Sequence, residues 1–181
     1  MKIEKLMQRG VQTCNPGDNL ASAAKVLWET DCGSAPVVVA NGRLVGVITD
    51  RDICMSAFFK ATRLDQIRVA DSMARQIVQA QAKDALKLAV ERMCEARVRR
   101  LPIVDSAGVL IGILTLADLA RNRSTRAAAA RVLAAVSSRP GPAAETLQVM
   151  ELKPRRAARA KTMAPAKEAR SRRTSSRRRG E

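Results

Sequence analysis

The chain contains two places at which a threonine is followed three residues later by an aspartate, Thr49 with Asp52 and Thr115 with Asp118. Each pair follows a strand-like apolar run and precedes residues with helical periodicity, which predicts a position at the N-terminus of a helix. Backbone N–H groups and the helix dipole favour a phosphate there, and an ionised aspartate can accept both hydroxyl protons of a ribose. These pairs are therefore candidates for binding a phosphorylated ribose.

The alternative role of these residues is structural. Thr-x-x-Asp is also the spacing of a capping box, in which the hydroxyl and the carboxylate satisfy backbone N–H groups of the helix. Each pair comes three residues after a glycine, Gly46 or Gly112. Such a glycine lets a ligand or a neighbouring strand approach the backbone closely. The repetition favours ligand binding, and the capping box stays as the alternative.

The two pairs belong to a repeat with a period of 66 residues and no gap. A repeat that keeps polar residues as well as its apolar pattern indicates one structural unit present twice, with paired ligand sites. Units of about 60 residues bury little surface alone, so we expect them to pack against each other. The recurring residues are Met7, Asp18, Leu20, Pro36, Gly42, Leu44, Gly46, Thr49 and Asp52, with the counterparts Met73, Asp84, Leu86, Pro102, Gly108, Leu110, Gly112, Thr115 and Asp118.

The composition separates a nearly neutral body from a basic segment. Residues 1–122 hold 17 Lys and Arg against 13 Asp and Glu, whereas residues 123–181 hold 16 against 4. Histidine is missing and the four cysteines lie far apart, which argues against a zinc site and against a Cys-His or Ser-His nucleophile. A secretory leader pattern and an apolar run of about 18 residues are also missing. We therefore expect a cytoplasmic protein with reduced thiols that is not an enzyme.

Each repeat is predicted to fold as strand, helix, strand, strand, helix. Helical spacing of apolar residues predicts a helix over 20–30, with Asp18 or Asn19 as its cap. Two β-branched runs flank Asn41-Gly42, which favours a type I′ hairpin turn. The other predicted elements are strands at 11–14, 35–40, 43–49, 77–80, 101–105 and 109–115, a helix after Thr49, and helices at 85–97 and 116–122.

The predicted organisation has four parts. They are the first repeat at 1–62, the second repeat at 63–122, an Ala-rich helix and linker at 123–152, and a basic, disordered tail at 153–181. Ser124 is the expected cap of a helix over 127–136. Residues 137–144, with Pro140-Gly141-Pro142, are interpreted as the linker.

These features resemble a tandem pair of CBS domains. This Bateman module occurs in regulatory regions of inosine monophosphate dehydrogenases, chloride channels and AMP-activated kinases, and in small stand-alone proteins. The resemblance covers residues 1–122 and rests on the two Gly-hydrophobic-x-Thr-x-x-Asp strings, both hairpins, and the strands at 35–38 and 101–104. It implies an α+β (α/β) fold of two β-α-β-β-α repeats packed as an intramolecular pseudo-dimer.

The resemblance also implies site residues and a ligand. In the family the motif threonine lies near phosphate, the motif aspartate holds the ribose, and the opening strand with the residues before the conserved proline encloses the adenine. The implied ligand is an adenine nucleotide, AMP, ADP or ATP, with no metal required, although the sequence does not exclude S-adenosylmethionine or a dinucleotide. The implied residues are Thr49, Asp52, Thr13 and Ala35 in the first site and Thr115, Asp118, Gln79 and Leu101 in the second.

The two implied sites differ in charge. Arg99 and Arg100 stand where the first repeat has a glycine and a serine. Their guanidiniums can meet a phosphate at the second site, or form a solvated cluster with Arg97. Asp50 adds negative charge beside the first motif. These charges predict that the second site binds a nucleotide more tightly.

Two functions stay open at this point. One is a regulatory adenine-nucleotide sensor, whose ligand changes the packing of the repeats or of a homodimer. The helical residues Trp28, Met55, Phe58 and Phe59 are expected in the core or in an interface, and the family commonly dimerises through its helices. The alternative is a protein that binds nucleic acid or another polyanion through residues 153–181, with the paired repeats as a dimerisation scaffold.

Overall fold

The first repeat forms a β-hairpin between two helices. The computed structural model describes residues 1–138, and the α+β fold of two strand–helix repeats is confirmed in them. The side chain of Asn19 accepts a hydrogen bond from the N–H of Ser22 at 2.8 Å, so Asn19 is the cap of the first helix. The elements are helix α1 (Leu20–Glu29), strands β1 (Ser34–Val38) and β2 (Leu44–Thr49), and helix α2 (Asp50–Lys60).

The second repeat copies this order and adds a strand. Its elements are strands β3 (Ala80–Gln81), β4 (Arg100–Val104) and β5 (Leu110–Thr115), with helices α3 (Leu86–Glu95) and α4 (Leu116–Arg121). Strand β3 is parallel to β4, and β5 is antiparallel to it. In the first repeat the strand predicted at 11–14 is a single bridge from Cys14 to Val37, because the chain turns at Pro16 and Gly17 toward α1.

The hairpins end in three-residue loops, so the prediction of a type I′ turn is wrong. Val39 pairs with Arg43, and the N–H of Gly42 donates to the carbonyl of Val39 at 2.7 Å. Gly42 has a φ of +77°, whereas Asn41 is outside the left-handed region that a type I′ turn requires at both positions. The second hairpin has the same turn, in which Gly108 is the left-handed residue, with a φ of +79°.

Each hydrophobic core contains a segment from the other repeat. Ile3 and Met7 lie in the core of the second repeat, while Ile67, Val69 and Met73 lie in the core of the first. The repeats therefore exchange their opening segments, which joins them into one packed body. The boundary predicted after residue 62 stays a prediction.

The exchanged segments cross strands β2 and β5 at glycines. Gln8 makes two backbone hydrogen bonds to β5, and Ala74 makes two to β2. A Cβ on Gly112 would lie 2.6 Å from the carbonyl oxygen of Gln8, and one on Gly46 would lie 3.1 Å from that of Ala74. The sequence allows either a ligand or a neighbouring strand to approach these glycines closely. In the structure it is a neighbouring backbone segment that does so.

Helix α5 (Arg126–Ser137) packs against α3 and α4 of the second repeat. Its residues Ala129 and Val132 are buried in the second core. The helix is present as predicted, but the prediction of Ser124 as its cap is wrong. Ser124 lies in a short 3-10 turn before the helix, where its N–H donates to the side chain of Asn122. The rest of the predicted linker and the predicted tail at 153–181 lie outside the described residues.

The corresponding face of the first repeat is open within residues 1–138. Trp28 is 87% exposed, Phe58 66% and Phe59 59%, and Met55 is also exposed. We call these four residues, on α1 and α2, the α1–α2 face. The sequence predicts that these residues lie in the core or in an interface. Because they lie outside both cores, only the interface role remains open.

Candidate ligand-binding cleft

Helices α1 and α3 end in the same way and direct a loop into a cleft between the repeats. Asp31 and Arg97, 66 residues apart, have left-handed φ values of +48° and +53°. In each case the N–H of the next residue donates to a carbonyl five residues earlier, at 3.0 Å, as in a Schellman motif. The chain then leaves the helix axis, and residues 32–34 and 98–100 reach the cleft.

Both Thr-x-x-Asp pairs form capping boxes. The Thr49 hydroxyl donates to Oδ2 of Asp52 at 2.7 Å and accepts from the N–H of Asp52 at 3.1 Å. Thr115 and Asp118 make the same bonds at 2.6 Å and 3.1 Å. The structural alternative is thus present at both places. Because each hydroxyl has one proton and that proton is used, its predicted donation to a phosphate requires this bond to open.

The two motif aspartates differ in their further partners. Oδ1 of Asp118 accepts hydrogen bonds from Nε2 of Gln8 at 2.6 Å and from Nη2 of Arg121 at 2.9 Å. Asp118 is 8% exposed, whereas Asp52 is half-buried. Burial raises the pKa of the Asp118 carboxyl, but the bonds from Thr115, Gln8 and Arg121 outweigh burial and hold that pKa below its ordinary value.

The first cavity of the cleft has a volume of about 560 Å³. It joins the N-terminus of α2 to the loop after α3, so that both repeats contribute to it. Arg99 and Arg100, which the sequence assigns to the second site, lie here beside Thr49. The polar residues that line this cavity are Ser34, Thr49, Asp50, Arg51, Arg97, Arg99 and Arg100.

The second cavity has a volume of about 1040 Å³ and also contains Arg99 and Arg100. It joins the N-terminus of α4 to the loop after α1, and α5 forms one of its walls. The polar residues that line it are Gln8, Asp31, Cys32, Arg99, Arg100, Thr115, Arg121 and Arg126. The two arginines therefore lie between the cavities and are shared by both.

The remaining predicted site residues are placed elsewhere. Ala35 and Leu101 are buried in the two cores, and the preceding residues Ser34 and Arg100 are the ones that reach the cleft. Thr13 and Gln79 line two other, separate cavities of about 260 Å³ and 650 Å³. The structure thus groups Thr49 and Thr115 with the arginines, but it does not group Thr13 or Gln79 with them.

Sequence reasoning missed Gln8, Arg121 and Arg97 as residues of the cleft. Gln8 and Asp118 are 110 residues apart, and no local pattern relates them. One signal was available: Met7 recurs as Met73, so Gln8 is the counterpart of Ala74 and enters the cleft with the exchanged segment.

In the part of the chain from residue 1 to 138, the side chains of His, Cys, Asp and Glu form no group of three or more suited to a metal ion. The helices of that part are too short or too polar to cross a membrane. All four cysteines are free.

Comparison with known proteins gives consistent matches over the two repeats. A family model for the CBS domain matches residues 3–57 and again 68–124. The CBS domain-containing protein YhcV of Bacillus subtilis is 33% identical over 135 residues, which are 75% of this chain and 94% of YhcV. The inosine-5'-monophosphate dehydrogenase of Methanocaldococcus jannaschii is 35% identical over 122 residues, which are 67% of this chain but 23% of that enzyme.

A solved structure gives the same match. The crystal structure of CBSX2 in complex with AMP superposes with a TM-score of 0.59 and 28% sequence identity. The match covers 66% of this chain and 93% of the CBSX2 chain.

Proposed function

The chain belongs to the CBS-domain family, and on this basis we propose that it is a regulatory module that binds an adenine nucleotide between its two repeats. The observation that carries the proposal is the first cavity, where the N-terminus of α2 faces Arg97, Arg99 and Arg100. A helix N-terminus opposite guanidiniums attracts phosphate. The volume of about 560 Å³ lies within the range of small-ligand sites.

The choice of an adenine nucleotide is supported by the family. CBSX2, a structural relative at 28% identity, binds AMP. In this chain the half-buried Asp52, hydrogen-bonded to the cavity residue Thr49, supplies a carboxylate for a ribose diol. The phosphate would then meet Arg99 and Arg100, since the Thr49 proton is held by Asp52.

A ligand in this cleft would have a regulatory effect because both repeats line it. Arg51 comes from the first repeat and Arg97 from the second, so a bound phosphate bridges them. Ligand binding shifts a conformational equilibrium by its differential affinity for the two arrangements. The proposal requires no catalytic step and no metal, and the four free thiols suit a reducing, cytoplasmic compartment.

Calorimetric titration with AMP, ADP and ATP tests this function. We expect saturable binding, and at least tenfold weaker binding in the double variant Arg99→Gln, Arg100→Gln, because two phosphate contacts are lost. Arg75→Gln with Arg123→Gln removes the same charge at exposed positions outside the cleft and serves as the control. Absence of binding heat and of a shift in melting temperature with all three nucleotides would contradict the proposal.

We further propose that two copies associate through the α1–α2 face. An exposed cluster of tryptophan and phenylalanine side chains is typical of an interface. Trp28→Glu is expected to weaken self-association at least tenfold in sedimentation experiments. Leu88→Glu, at an exposed apolar position of α3, is the control that should leave it unchanged.

Polyanion binding is a second candidate function, favoured by the 16 basic against 4 acidic residues at 123–181. Contact with a phosphate backbone predicts an affinity for DNA or RNA that falls steeply with salt. A variant that ends at residue 138 should lose this binding while it keeps nucleotide binding. If the shortened chain binds nucleic acid as the full chain does, the candidate is wrong.

A further inference from the structure

We propose that Gln8 and Arg121 close the second site, so that the nucleotide occupies the first site in preference. This inference rests on the proposed function, and it reverses the prediction made from the charges in the sequence. The observation behind it is the difference between the hydrogen-bond partners of Asp118 and Asp52.

The acceptor capacity of Asp118 is full. A carboxylate offers about four lone-pair positions, two on each oxygen. Oδ2 accepts from the N–H of Thr115 at 2.8 Å and from its hydroxyl at 2.6 Å. Oδ1 accepts from Gln8 at 2.6 Å and from Arg121 at 2.9 Å. A ribose diol, which binds by donating two protons, therefore has to displace one or both of these side chains.

The carboxylate of Asp52 can accept further hydrogen bonds. Its Oδ2 makes the same two bonds to Thr49, at 3.0 Å and 2.7 Å. Within residues 1–138, no hydrogen bond reaches its Oδ1. The two lone-pair positions of that oxygen match the two hydroxyl groups of a ribose.

The repeat explains why the two sites differ. The counterparts of Gln8 and Arg121, 66 residues away, are Ala74 and Met55. Ala74 follows the same path as Gln8, since its backbone pairs with β2 as that of Gln8 pairs with β5. Neither an alanine nor a methionine side chain can donate a hydrogen bond to a carboxylate. The difference therefore lies in two side chains on equivalent backbones.

The charge of the cavities does not select the second site. Arg99 and Arg100 line both. The first cavity has two further arginines and one aspartate, Asp50, and the second has two further arginines and one aspartate, Asp31. Since these charges balance, the state of the motif aspartate decides which site binds the ribose.

The closure also couples the second site to the exchanged segment. Gln8 is held by two backbone hydrogen bonds to β5 and follows Met7, which is buried in the second core. The side chain that closes the second site therefore belongs to a segment that joins the repeats.

Exchange of the differing residues between the repeats tests the inference. Gln8→Ala with Arg121→Met gives the second site the residues of the first, and Ala74→Gln with Met55→Arg does the reverse. We expect wild type to bind one AMP tightly, the first variant to bind two, and the second variant to bind AMP at least tenfold more weakly. Circular dichroism verifies folding, and Gln8→Ala alone repeats the test with one bond removed.

The outcomes separate the two proposals. If AMP binds to wild type and the stoichiometry and affinity stay the same in Gln8→Ala and in both exchange variants, the closure is wrong while the proposed function stands. If AMP, ADP and ATP bind neither wild type nor the variants, the proposed function is wrong and the closure falls with it. Two AMP per chain of equal affinity in wild type would likewise overturn the closure.

Discussion

The two repeats share a backbone plan but differ in what covers their helices. In the second repeat α5 packs against α3 and α4, and its residues Ala129 and Val132 complete the core. In the first repeat the equivalent surface carries Trp28 and Phe58, exposed by 87% and 66%. The motif aspartates differ in the same direction, since Asp118 is enclosed by two extra partners and Asp52 is not. Within residues 1–138, a further helix thus covers the second repeat, and the motif aspartate of that repeat has two more hydrogen-bond partners.

The largest loss of stability is expected when the packing of α5 against the second repeat is disrupted. Val132→Asp places an unpaired carboxylate at a fully buried position of α5 and should cost about 3 kcal/mol or more of the free energy of unfolding. Ala127→Asp changes an exposed position of the same helix and should cost no more than about 0.5 kcal/mol. Urea unfolding measures both, and equal midpoints would show that α5 does not stabilise the second repeat.

Substitution of the glycines at the two crossings should cost different amounts of the free energy of unfolding. Gly112→Ala brings a Cβ to 2.6 Å from a backbone oxygen of Gln8, which cannot give way as a side chain can, so we expect a loss of about 2 kcal/mol. At Gly46 the nearest atom belongs to the flexible side chain of Met73, so Gly46→Ala should cost roughly 1 kcal/mol. Thermal unfolding of the two variants compares them, and a reversed order would contradict the crossing geometry.

The lowered pKa of Asp118 predicts that the free energy of unfolding depends on pH. Because the pKa of Asp118 is lower in the folded protein, its stabilisation is complete above the unfolded pKa of about 3.9 and is lost as the pH falls through the folded pKa. Wild type should therefore lose more free energy of unfolding than Asp118→Asn as the pH falls from about 5 to about 2. Parallel curves for the two proteins, obtained by chemical unfolding at each pH, would show that the Asp118 partners do not stabilise its charge.

The reactivity of the cysteine thiols compares the exposure of the two repeats without a change in the sequence. Cys54 is exposed beside the α1–α2 face, whereas Cys94 is half-buried in the second repeat. Burial, with a smaller effect from Asp18, raises the pKa of Cys14 to about 11. A thiol reagent at pH 8 should modify Cys54 first and Cys14 last, because thiolate is the reactive form. Mass spectrometry gives the order, and a fast Cys94 would mean that α5 leaves its repeat readily.

Much of the fold follows from the period of 66 residues, because polar and apolar positions recur together. The helices and the hairpins could be predicted in this way, whereas the capping boxes, present at both motifs, were only the alternative that the repetition disfavoured. The hairpin turn was mispredicted, since Asn41-Gly42 also suits a three-residue loop in which only the glycine is left-handed. The cap of α5 was mispredicted because Asn122 receives the hydrogen bond from Ser124 itself.

The site was predicted less completely than the fold. Of the candidates that the sequence offers, Thr49, Thr115, Arg99 and Arg100 line the cleft; local motifs and the comparison of the repeats suffice to single them out. The closure of Asp118 depends on Gln8, which reaches it only through the exchange of the opening segments. Contacts of that kind depend on tertiary packing, which neither periodicity nor charge in one sequence specifies.

The most direct test is a calorimetric titration of Asp52→Ala and Asp118→Ala with AMP, beside wild type. The two variants are matched, because each loses the carboxylate of one capping box. We expect one tight site in wild type, lost in Asp52→Ala and kept in Asp118→Ala. Loss of binding in Asp118→Ala, with Asp52→Ala unchanged, would contradict it.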